Sequence, residues 1–502
     1  MSQSTVGPMK EINRKILVTG ASGYVGGRLV RALLGKNLDV RVFVRDKKKL
    51  ERQPWKSSVE VIEGNANNHD ETLAALKDVH TAYYLLHSIN YSTRFDEIEA
   101  EMARTFATAA AEAGVKQIIY LGGIANDKKR SKHLESRANT GRQLANGSVP
   151  VMELRAGIII GSGSASFEML RHLTHRLPIM TTPKWVSNKT HPIAIRDILY
   201  YLTEAARLEK SVSGVFDVGG PEVVSYEDMM QIFAKISGLR RRIIIKVPVL
   251  SPKLSSLWIG LVTPVPTTLA RPLVGSLISE VVADPEKSID SIIPKPEEGL
   301  LPLRQAIEFA LSKTSGNDIE TRWSDATGPT APWQKAQSDP TWAGETLYHD
   351  TRELITDASR KSVWEAIESI GGDTGWYGTG VLWFLRGLLD RLIGGVGLRR
   401  GRRDPKNLRI GDAVDFWRVE NLVPGEELKL YAEMILPGKA WLEFKITDMS
   451  DGHLKLTQQA TFQPRGLGGQ LYWFSIAPLH FLVFPTMIKN IIKAAKESDV
   501  RA

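Results

Sequence analysis

The sequence predicts an α/β protein in which a doubly wound, mainly parallel sheet is followed by a second, α+β domain. In the first 155 residues, apolar runs with strand character alternate with amphipathic helical patterns, which is typical of parallel sheets covered by helices on both faces. After residue 345 the pattern changes to a strand, helices, a series of strands and a long apolar helix. At 502 residues, the chain is long enough for two domains that each bury a core.

The apolar runs predict strands at 15–19, 40–44, 59–62, 80–86, 116–121 and 151–155. The patterns between them predict helices at 24–35, 70–77, 95–113 and 133–146. Because ligands of such sheets bind where loops converge at the carboxyl ends of the strands, we expect the functional site at that edge.

A glycine-rich turn lies between the first predicted strand and the first predicted helix, within residues 16–30. Gly20 allows a tight turn, Gly23 lets backbone N–H groups approach phosphates, and Gly26 lets the helix pack closely on the strand. The positive end of the helix then faces the anion. This arrangement receives the pyrophosphate of a dinucleotide, and it makes the predicted sheet Rossmann-like.

The end of the second predicted strand indicates which dinucleotide binds. Arg45 lies where a ribose-binding carboxylate would favour NAD, and an arginine there suits the 2′-phosphate of NADP. Arg28, on the first helix, is a second candidate for that phosphate because a guanidinium matches phosphate oxygens. We therefore expect NADP, with NAD as the alternative that Asp46 keeps open.

The composition excludes several kinds of site. The chain has no cysteine, so thiolate nucleophiles, Fe–S clusters and disulfides are excluded. Residues 1–14 have no apolar signal-peptide core, and we expect a cytoplasmic location. His172 and His175 lack nearby carboxylates, so we expect surface residues and no metal site. The net charge of +9 favours phosphates or acidic lipid as partners and is too diffuse to predict nucleic-acid binding.

Besides the glycine turn, six ordered segments resemble landmarks of the extended and atypical short-chain dehydrogenases/reductases. They lie at 64–65, 85–88, 120–123, 155–161, 191–198 and 216–221. The resemblance covers residues 14–312 and implies a substrate-side subdomain at about 156–312. It also implies that Asn65, where the family usually has aspartate, lies near adenine. The implied cofactor-binding residues are Thr19, Gly20, Ser22, Gly23, Tyr24, Val25, Gly26, Arg45, Asn65, Leu86 and His87.

The chain departs from that superfamily in its proton donor. Family oxidoreductases generally carry a serine after the fifth strand and a Tyr-x-x-x-Lys pair on the next helix, whose lysine lowers the pKa of the tyrosine. Here glycine replaces the serine, and the helix at 133–146 has no tyrosine. The candidate replacements are His87, because imidazole exchanges protons near neutral pH, and Tyr120. Alternatively, His87 holds a loop and Tyr120 belongs to the core. Arg137 is a candidate for orienting an anionic substrate.

Residues 313–345 are rich in Ser, Thr, Asp, Pro and Gly, which predicts a linker between domains at 1–312 and 346–502. Beyond it, the patterns predict strands near 346–355, 413–420, 427–435, 440–447 and 453–463, helices at 358–370 and 470–496, and an amphipathic segment at 380–396. This order resembles the helix-grip fold of START-like and polyketide-cyclase-like proteins, which implies an apolar ligand cavity. The aromatic residues that would line it, or form plain core, are Trp383, Trp417, Tyr431, Trp441, Phe444 and Phe462. The whole chain resembles a group of uncharacterised bacterial oxidoreductases with both domains.

Two segments raise membrane contact as an alternative to a purely soluble protein. Residues 383–403 combine apolar and aromatic residues with arginines, as interfacial helices do. Residues 466–488 contain no Asp, Glu, Lys or Arg and are long enough to span a bilayer, but Pro478 and Pro485 would interrupt a spanning helix. These features favour peripheral attachment over spanning.

The residues therefore predict an NADP(H)-dependent oxidoreductase for a lipophilic small molecule, with an atypical active site. One alternative is an NADP(H)-binding sensor without catalysis, which the missing Tyr and Lys favour. The other is a membrane-associated scaffold or assembly factor.

Overall fold

The computed structural model describes residues 14–51, 53–87, 95–125, 131–247, 263, 265–311, 339, 343–378, 404 and 407–501. The chain divides into two units, Met1–Gly344 and Glu345–Ala502. Asp339, which belongs to the predicted linker, lies in the first unit and pairs with Arg28.

Thirteen described strands belong to the first unit. They are β1 (Lys15–Thr19), β2 (Asp39–Val44), β3 (Glu60–Glu63), β4 (Thr81–Tyr84), β5 (Gln117–Gly123), β6 (Val151–Ala156), β7 (Ile159–Ile160), β8 (Ile179–Pro183), β9 (Lys189–Thr190), β10 (Ile193–Ala194), β11 (Gly214–Val218), β12 (Val224–Ser225) and β13 (Ile243–Val247). Seven of them form a parallel sheet in the order β11-β6-β5-β4-β1-β2-β3. The predicted doubly wound parallel sheet is therefore confirmed.

The described helices of the first unit are α1 (Tyr24–Leu34), α2 (His69–Leu76), α3 (Phe95–Glu112), α4 (Lys132–Ala145), α5 (Ala165–Arg176), α6 (Ile195–Arg207), α7 (Tyr226–Ile236), α8 (Thr267–Ser276) and α9 (Leu303–Leu311). Helices cover both faces, so β1 is apolar on both sides and buries Ile16, Leu17 and Val18. The strand order reverses between β1 and β4, and this is where such sheets bind their ligands.

The second unit contains a six-stranded antiparallel sheet and two described α-helices. Its strands are β14 (Tyr348–Thr356), β15 (Ala413–Val414), β16 (Trp417–Val423), β17 (Glu427–Ala432), β18 (Gly438–Asp448) and β19 (Leu454–Pro464), in the order β14-β19-β18-β17-β16-β15. The helices are α10 (Arg360–Glu368) and α11 (Gly466–Arg501). The predicted amphipathic segment at 380–396 and the segment at 383–403 lie outside the described residues.

Two predictions for the second unit were wrong in detail. The strand predicted at 413–420 is split into β15 and β16, because Asp415 adopts φ +54° and turns the chain. The Asp415 carboxylate accepts a hydrogen bond from the Trp376 indole at 2.8 Å. Pro478 and Pro485 do not interrupt α11. They are seven residues apart and therefore lie on one face, where solvent can satisfy the carbonyl groups that lose their helical partner.

The core of the second unit lies between the sheet and α11. Of the predicted aromatic residues, Trp417, Phe444 and Phe462 are buried in this core. Tyr431 and Trp441 instead pack on each other, with ring centroids 5.7 Å apart. Trp383 lies outside the described residues.

Candidate functional site

The glycine turn between β1 and α1 has the backbone geometry that requires glycine. Gly20 has φ +68°, and a Cβ there would lie 2.5 Å from the Leu85 carbonyl oxygen. A Cβ at Gly26 would overlap the Gly20 carbonyl oxygen, so α1 packs against the turn without space for a side chain. The Gly23 N–H donates to that same carbonyl at 2.9 Å and closes the turn.

The N-terminus of α1 is open to an anion. Gly23 is the N-cap residue and provides no side-chain hydrogen bond, and the first turn contains no acidic residue. The first N–H groups of a helix have no partner within it, so those at Tyr24 and Val25 are available to a ligand such as a phosphate. Both residues, with Gly20, Gly23 and Gly26, line a cavity of about 380 Å³.

Thr19 and Ser22 occupy different environments. The Thr19 hydroxyl is buried, donates to the Tyr83 carbonyl at 2.9 Å and accepts the Leu85 N–H at 3.0 Å. The Thr19 hydroxyl therefore fastens the end of β1 to the end of β4. Ser22 is exposed in the glycine turn.

Of the two arginines predicted for a 2′-phosphate, Arg45 lies exposed directly after β2. Arg28 is in a different position. Its guanidinium donates to both carboxylate oxygens of Asp339, at 2.8 and 2.7 Å, and lies over the Tyr24 ring at 4.1 Å. Because this buried ion pair occupies the guanidinium, the prediction that Arg28 assists Arg45 was wrong.

Asn65 follows β3 and is exposed. Its backbone N–H donates to the Glu71 carboxylate at 2.6 Å, and its side-chain oxygen accepts the Asn67 N–H at 3.2 Å. These bonds fix the loop after β3. Leu86 contributes its carbonyl oxygen, which accepts a hydrogen bond from Arg137 at 3.2 Å.

The cavity beside the glycine turn is lined by more apolar than polar surface. The apolar residues include Leu121, Ile158, Met169, Leu273, Leu277 and Val281. Its polar lining residues include His87, His133 and Arg137. Substrate-side residues from beyond 156 therefore face the end of β4 across one cavity.

His87 is held by a buried carboxylate. Its Nδ1 lies 2.7 Å from the Glu99 Oε1, and the other oxygen of Glu99 accepts the Ser136 hydroxyl at 2.5 Å. Glu99 is only 2% exposed, whereas a third of the His87 side chain remains accessible. Because an ionised carboxylate only accepts hydrogen bonds, Nδ1 carries a proton and Nε2 of the neutral ring is the basic atom.

Burial and charge set the protonation states of this cluster. Burial lowers the pKa of His87, although the hydrogen bond to Glu99 opposes the shift. Burial would raise the pKa of Glu99, but the hydrogen bond from His87, its charge and that of Arg137, and the bond from Ser136 lower this pKa to about 2. The imidazole of His87 is therefore neutral at pH 7 and rests on an ionised carboxylate.

His133 stacks on His87 with ring centroids 5.0 Å apart and planes within 5°. Burial, together with the nearby His87 and Arg137, lowers the pKa of His133 to about 3, so its ring is neutral. Arg137 donates to the carbonyl oxygens of Leu86 and Leu121. These contacts hold the ends of β4 and β5 together, and Arg137 also lines the cavity.

The structure does not support Tyr120 as a proton donor. Tyr120 is fully buried, and its hydroxyl donates to the Arg137 carbonyl oxygen at 2.8 Å. Burial also raises the pKa of Tyr120 above its usual range. It belongs to the core, as the alternative interpretation had it.

Sequence reasoning missed Glu99, His133 and Ser136. A signal for Glu99 was present, because it shares the buried stripe of α3 with Ala103 and Phe106 at helical spacing. A carboxylate on such a stripe needs a buried partner. Nothing in the sequence indicated that the partner is His87.

His172 is buried next to Glu168, with Nε2 and Oε2 3.8 Å apart, so the expectation of a surface residue was wrong. Within the described residues, no group of three His, Asp or Glu side chains is arranged to hold a metal ion.

Two family models match the chain. Residues 12–242 match the NmrA-like family, and residues 342–487 match a family described as a protein of unknown function, DUF2867. Residues 12–242 are thus similar to NmrA-like proteins, and residues 342–487 are similar to DUF2867 proteins.

Among curated proteins, a 3-beta-hydroxysteroid dehydrogenase of Mycolicibacterium neoaurum is 27% identical over 116 residues. The match covers 21% of this chain and 31% of that protein, which is under a third of its length.

Among solved structures, the triphenylmethane reductase of Citrobacter sp. is 19% identical with a TM-score of 0.48, over 59% of this chain and 99% of the reductase. It has also been solved with NADP(H). An NADPH-dependent quinone oxidoreductase of Escherichia coli is 18% identical with a TM-score of 0.46, over 58% of this chain and 98% of that protein.

Proposed function

We propose that this protein is an NADP(H)-dependent oxidoreductase acting on a lipophilic small molecule, with His87 as the residue that exchanges a proton with the substrate. One observation carries the proposal. The His87 ring lines the cavity beside the glycine turn, and a buried carboxylate at 2.7 Å holds its Nδ1. This provides a proton-exchanging group in a chain that lacks the Tyr-x-x-x-Lys pair.

The residues around the glycine turn fit a dinucleotide. The turn is closed to any Cβ at Gly20 and Gly26, and the N-terminus of α1 has neither a side-chain cap nor an acidic residue. Tyr24 and Val25 would hold the pyrophosphate through their N–H groups. Arg45 would hold the 2′-phosphate, which distinguishes NADP from NAD. When bound, the cofactor supplies or accepts a hydride.

His87 would act in either direction of the reaction. In oxidation of an alcohol, the neutral ring accepts the hydroxyl proton at Nε2 while the hydride leaves the carbon. In reduction of a carbonyl, the protonated ring gives that proton to the developing alkoxide. Glu99 stabilises the positive charge that appears on the ring, as a carboxylate does for a catalytic histidine.

The substrate class follows from the wall of the cavity. Leu121, Ile158, Met169, Leu273 and Val281 offer apolar contacts, and few charged groups oppose them. The curated relative is named as a hydroxysteroid dehydrogenase, and a hydroxysteroid is a hydroxyl compound with an apolar skeleton. We therefore expect a carbonyl or hydroxyl group on an apolar skeleton.

For the second unit we propose a helix-grip domain that holds an apolar ligand. The six-stranded antiparallel sheet with a long C-terminal helix packed on it supports this class. Tryptophan fluorescence of the full chain, titrated with long-chain ketones, tests whether this unit binds such molecules.

The test of the enzymatic proposal uses the purified full chain with a panel of hydroxysteroids, quinones and enones, and follows NADPH at its absorbance band. His87→Gln should lower kcat by about 10²-fold to 10⁴-fold, the usual contribution of a general acid or base. The matched control is His80→Gln, because His80 precedes β4 and contacts Thr81 rather than the cavity.

Binding of NADPH without turnover of any member of the panel would favour the sensor alternative. If the wild-type protein binds NADPH and Gly23→Asp does not, the proposed cofactor site is still supported. If wild-type protein binds neither NADPH nor NADH, both interpretations fail.

A further inference from the structure

The exposed face of α11 is apolar over the first half of the helix. Leu471, Phe474, Phe481 and Leu482 are between 58% and 69% exposed. Their spacing places them on one side of the helix, where Pro478 is also exposed. We call these five residues the apolar stripe.

The opposite face of α11 is fixed to its own unit. The Trp473 ring stacks on Tyr348 and on Phe462, at centroid distances of 5.5 and 5.7 Å. Further along, Met487 and Ile491 are fully buried in the core. The helix is long and apolar enough to cross a membrane by length and composition. If α11 left the sheet to cross a membrane, this core would be exposed. The apolar stripe is therefore the outer surface of a helix that stays packed on its own sheet.

The same face becomes cationic over the second half of the helix. Lys489 follows Leu471 by 18 residues, about five turns, and therefore points in the same direction. Lys493 and Lys496 follow on this side and are 74% and 51% exposed. Lys496 has a partner in Asp357, and Lys493 lies 3.9 Å from Glu497. From residue 465 to 496 the sequence contains no Asp or Glu.

We infer that this face of α11 docks the protein on an anionic lipid bilayer as a peripheral contact. The apolar stripe enters the interface between headgroups and acyl chains, and the lysines meet lipid phosphates. A second copy of the chain fits the face less well. An antiparallel copy would press lysines against phenylalanines, and a parallel copy would align lysine with lysine. This contact does not depend on the reaction proposed for the first unit.

The test is sedimentation of the full chain with vesicles of phosphatidylcholine alone and of phosphatidylcholine with about one part in three phosphatidylglycerol. Binding should be strong only with the anionic vesicles and should fall at about 0.5 M salt, where charges are screened. Lys489→Glu and Lys493→Glu should each weaken binding at least about fivefold. Phe474→Ser and Phe481→Ser should each weaken it about tenfold, because less apolar surface is buried.

Matched controls are Lys361→Glu and Ile410→Ser, whose exposed side chains lie outside α11. They should bind like wild type. All variants replace exposed residues, and unchanged thermal unfolding confirms that they fold. Equal binding to neutral and anionic vesicles, no binding to either, or stripe variants that bind normally would overturn the inference. So would a dimer in light scattering that Phe474→Ser dissociates.

Discussion

The Glu99→Gln substitution tests whether the buried carboxylate controls the protonation of His87. It keeps the shape of the side chain and removes the negative charge beside His87. In the structure, this charge lies 2.7 Å from Nδ1 and is 2% exposed, so solvent screens it little. Without it, burial is unopposed and lowers the pKa of His87 further, because the imidazolium loses its counter-charge.

The magnitude follows from the kind of bond that is lost. A hydrogen bond to a charged group contributes about 1.5–3 kcal/mol, which corresponds to about 10-fold to 100-fold in the protonated fraction of His87. Reduction needs that protonated form. At pH 7, kcat/KM for reduction should therefore fall by this factor. Alcohol oxidation uses the neutral ring, which already predominates, and should fall less.

The assay is the pH profile of kcat/KM in both directions, with an NMR titration of the histidine C2 protons as a readout that needs no substrate. In wild type, reduction should decrease as pH rises through the lowered pKa of His87, and oxidation should increase. Glu97→Gln, an exposed neighbour on α3, is the control and should leave both profiles unchanged. If Glu99→Gln keeps the wild-type profiles while His87→Gln is inactive, the reasoning about the carboxylate is refuted.

Three further predictions follow from the first unit. Arg45→Glu should weaken NADPH binding at least about tenfold and leave NADH binding unchanged, because a carboxylate there repels the 2′-phosphate and suits a ribose hydroxyl. An equal loss of affinity for NADPH and NADH in calorimetry would contradict this. Tyr120→Phe should lower the free energy of unfolding in urea by about 0.5–1.5 kcal/mol and keep kcat, since its buried hydroxyl is bonded to the Arg137 carbonyl oxygen. A large loss of kcat would restore Tyr120 as a proton donor. Asp339→Ala should destabilise the protein by about 3–5 kcal/mol, because Arg28 stays buried without its partner. The control is Asp96→Ala, which removes the carboxylate of the exposed pair with Lys132. If both variants have the same unfolding midpoint, the ion pair between Arg28 and Asp339 is weak.

The sequence by itself determined the parts of this protein that depend on local pattern. Alternating apolar runs predicted β1 to β6 within about two residues, because a buried parallel strand needs apolar side chains on both faces. The glycine spacing predicted the turn at Gly20, since only glycine fits its backbone conformation and its contact with Leu85. Arg45 followed from its distance along the chain to that turn.

Only the tertiary structure decided which distant side chains meet. Glu99 reaches His87 because α3 packs beside the end of β4. Arg28 forms its ion pair with Asp339, which lies 311 residues away in the chain. Periodicity tells which residues face inward, but two inward-facing groups become partners only through the packing of the elements that carry them. The buried pairs, and with them the protonation of the site, are therefore properties of the fold rather than of any segment.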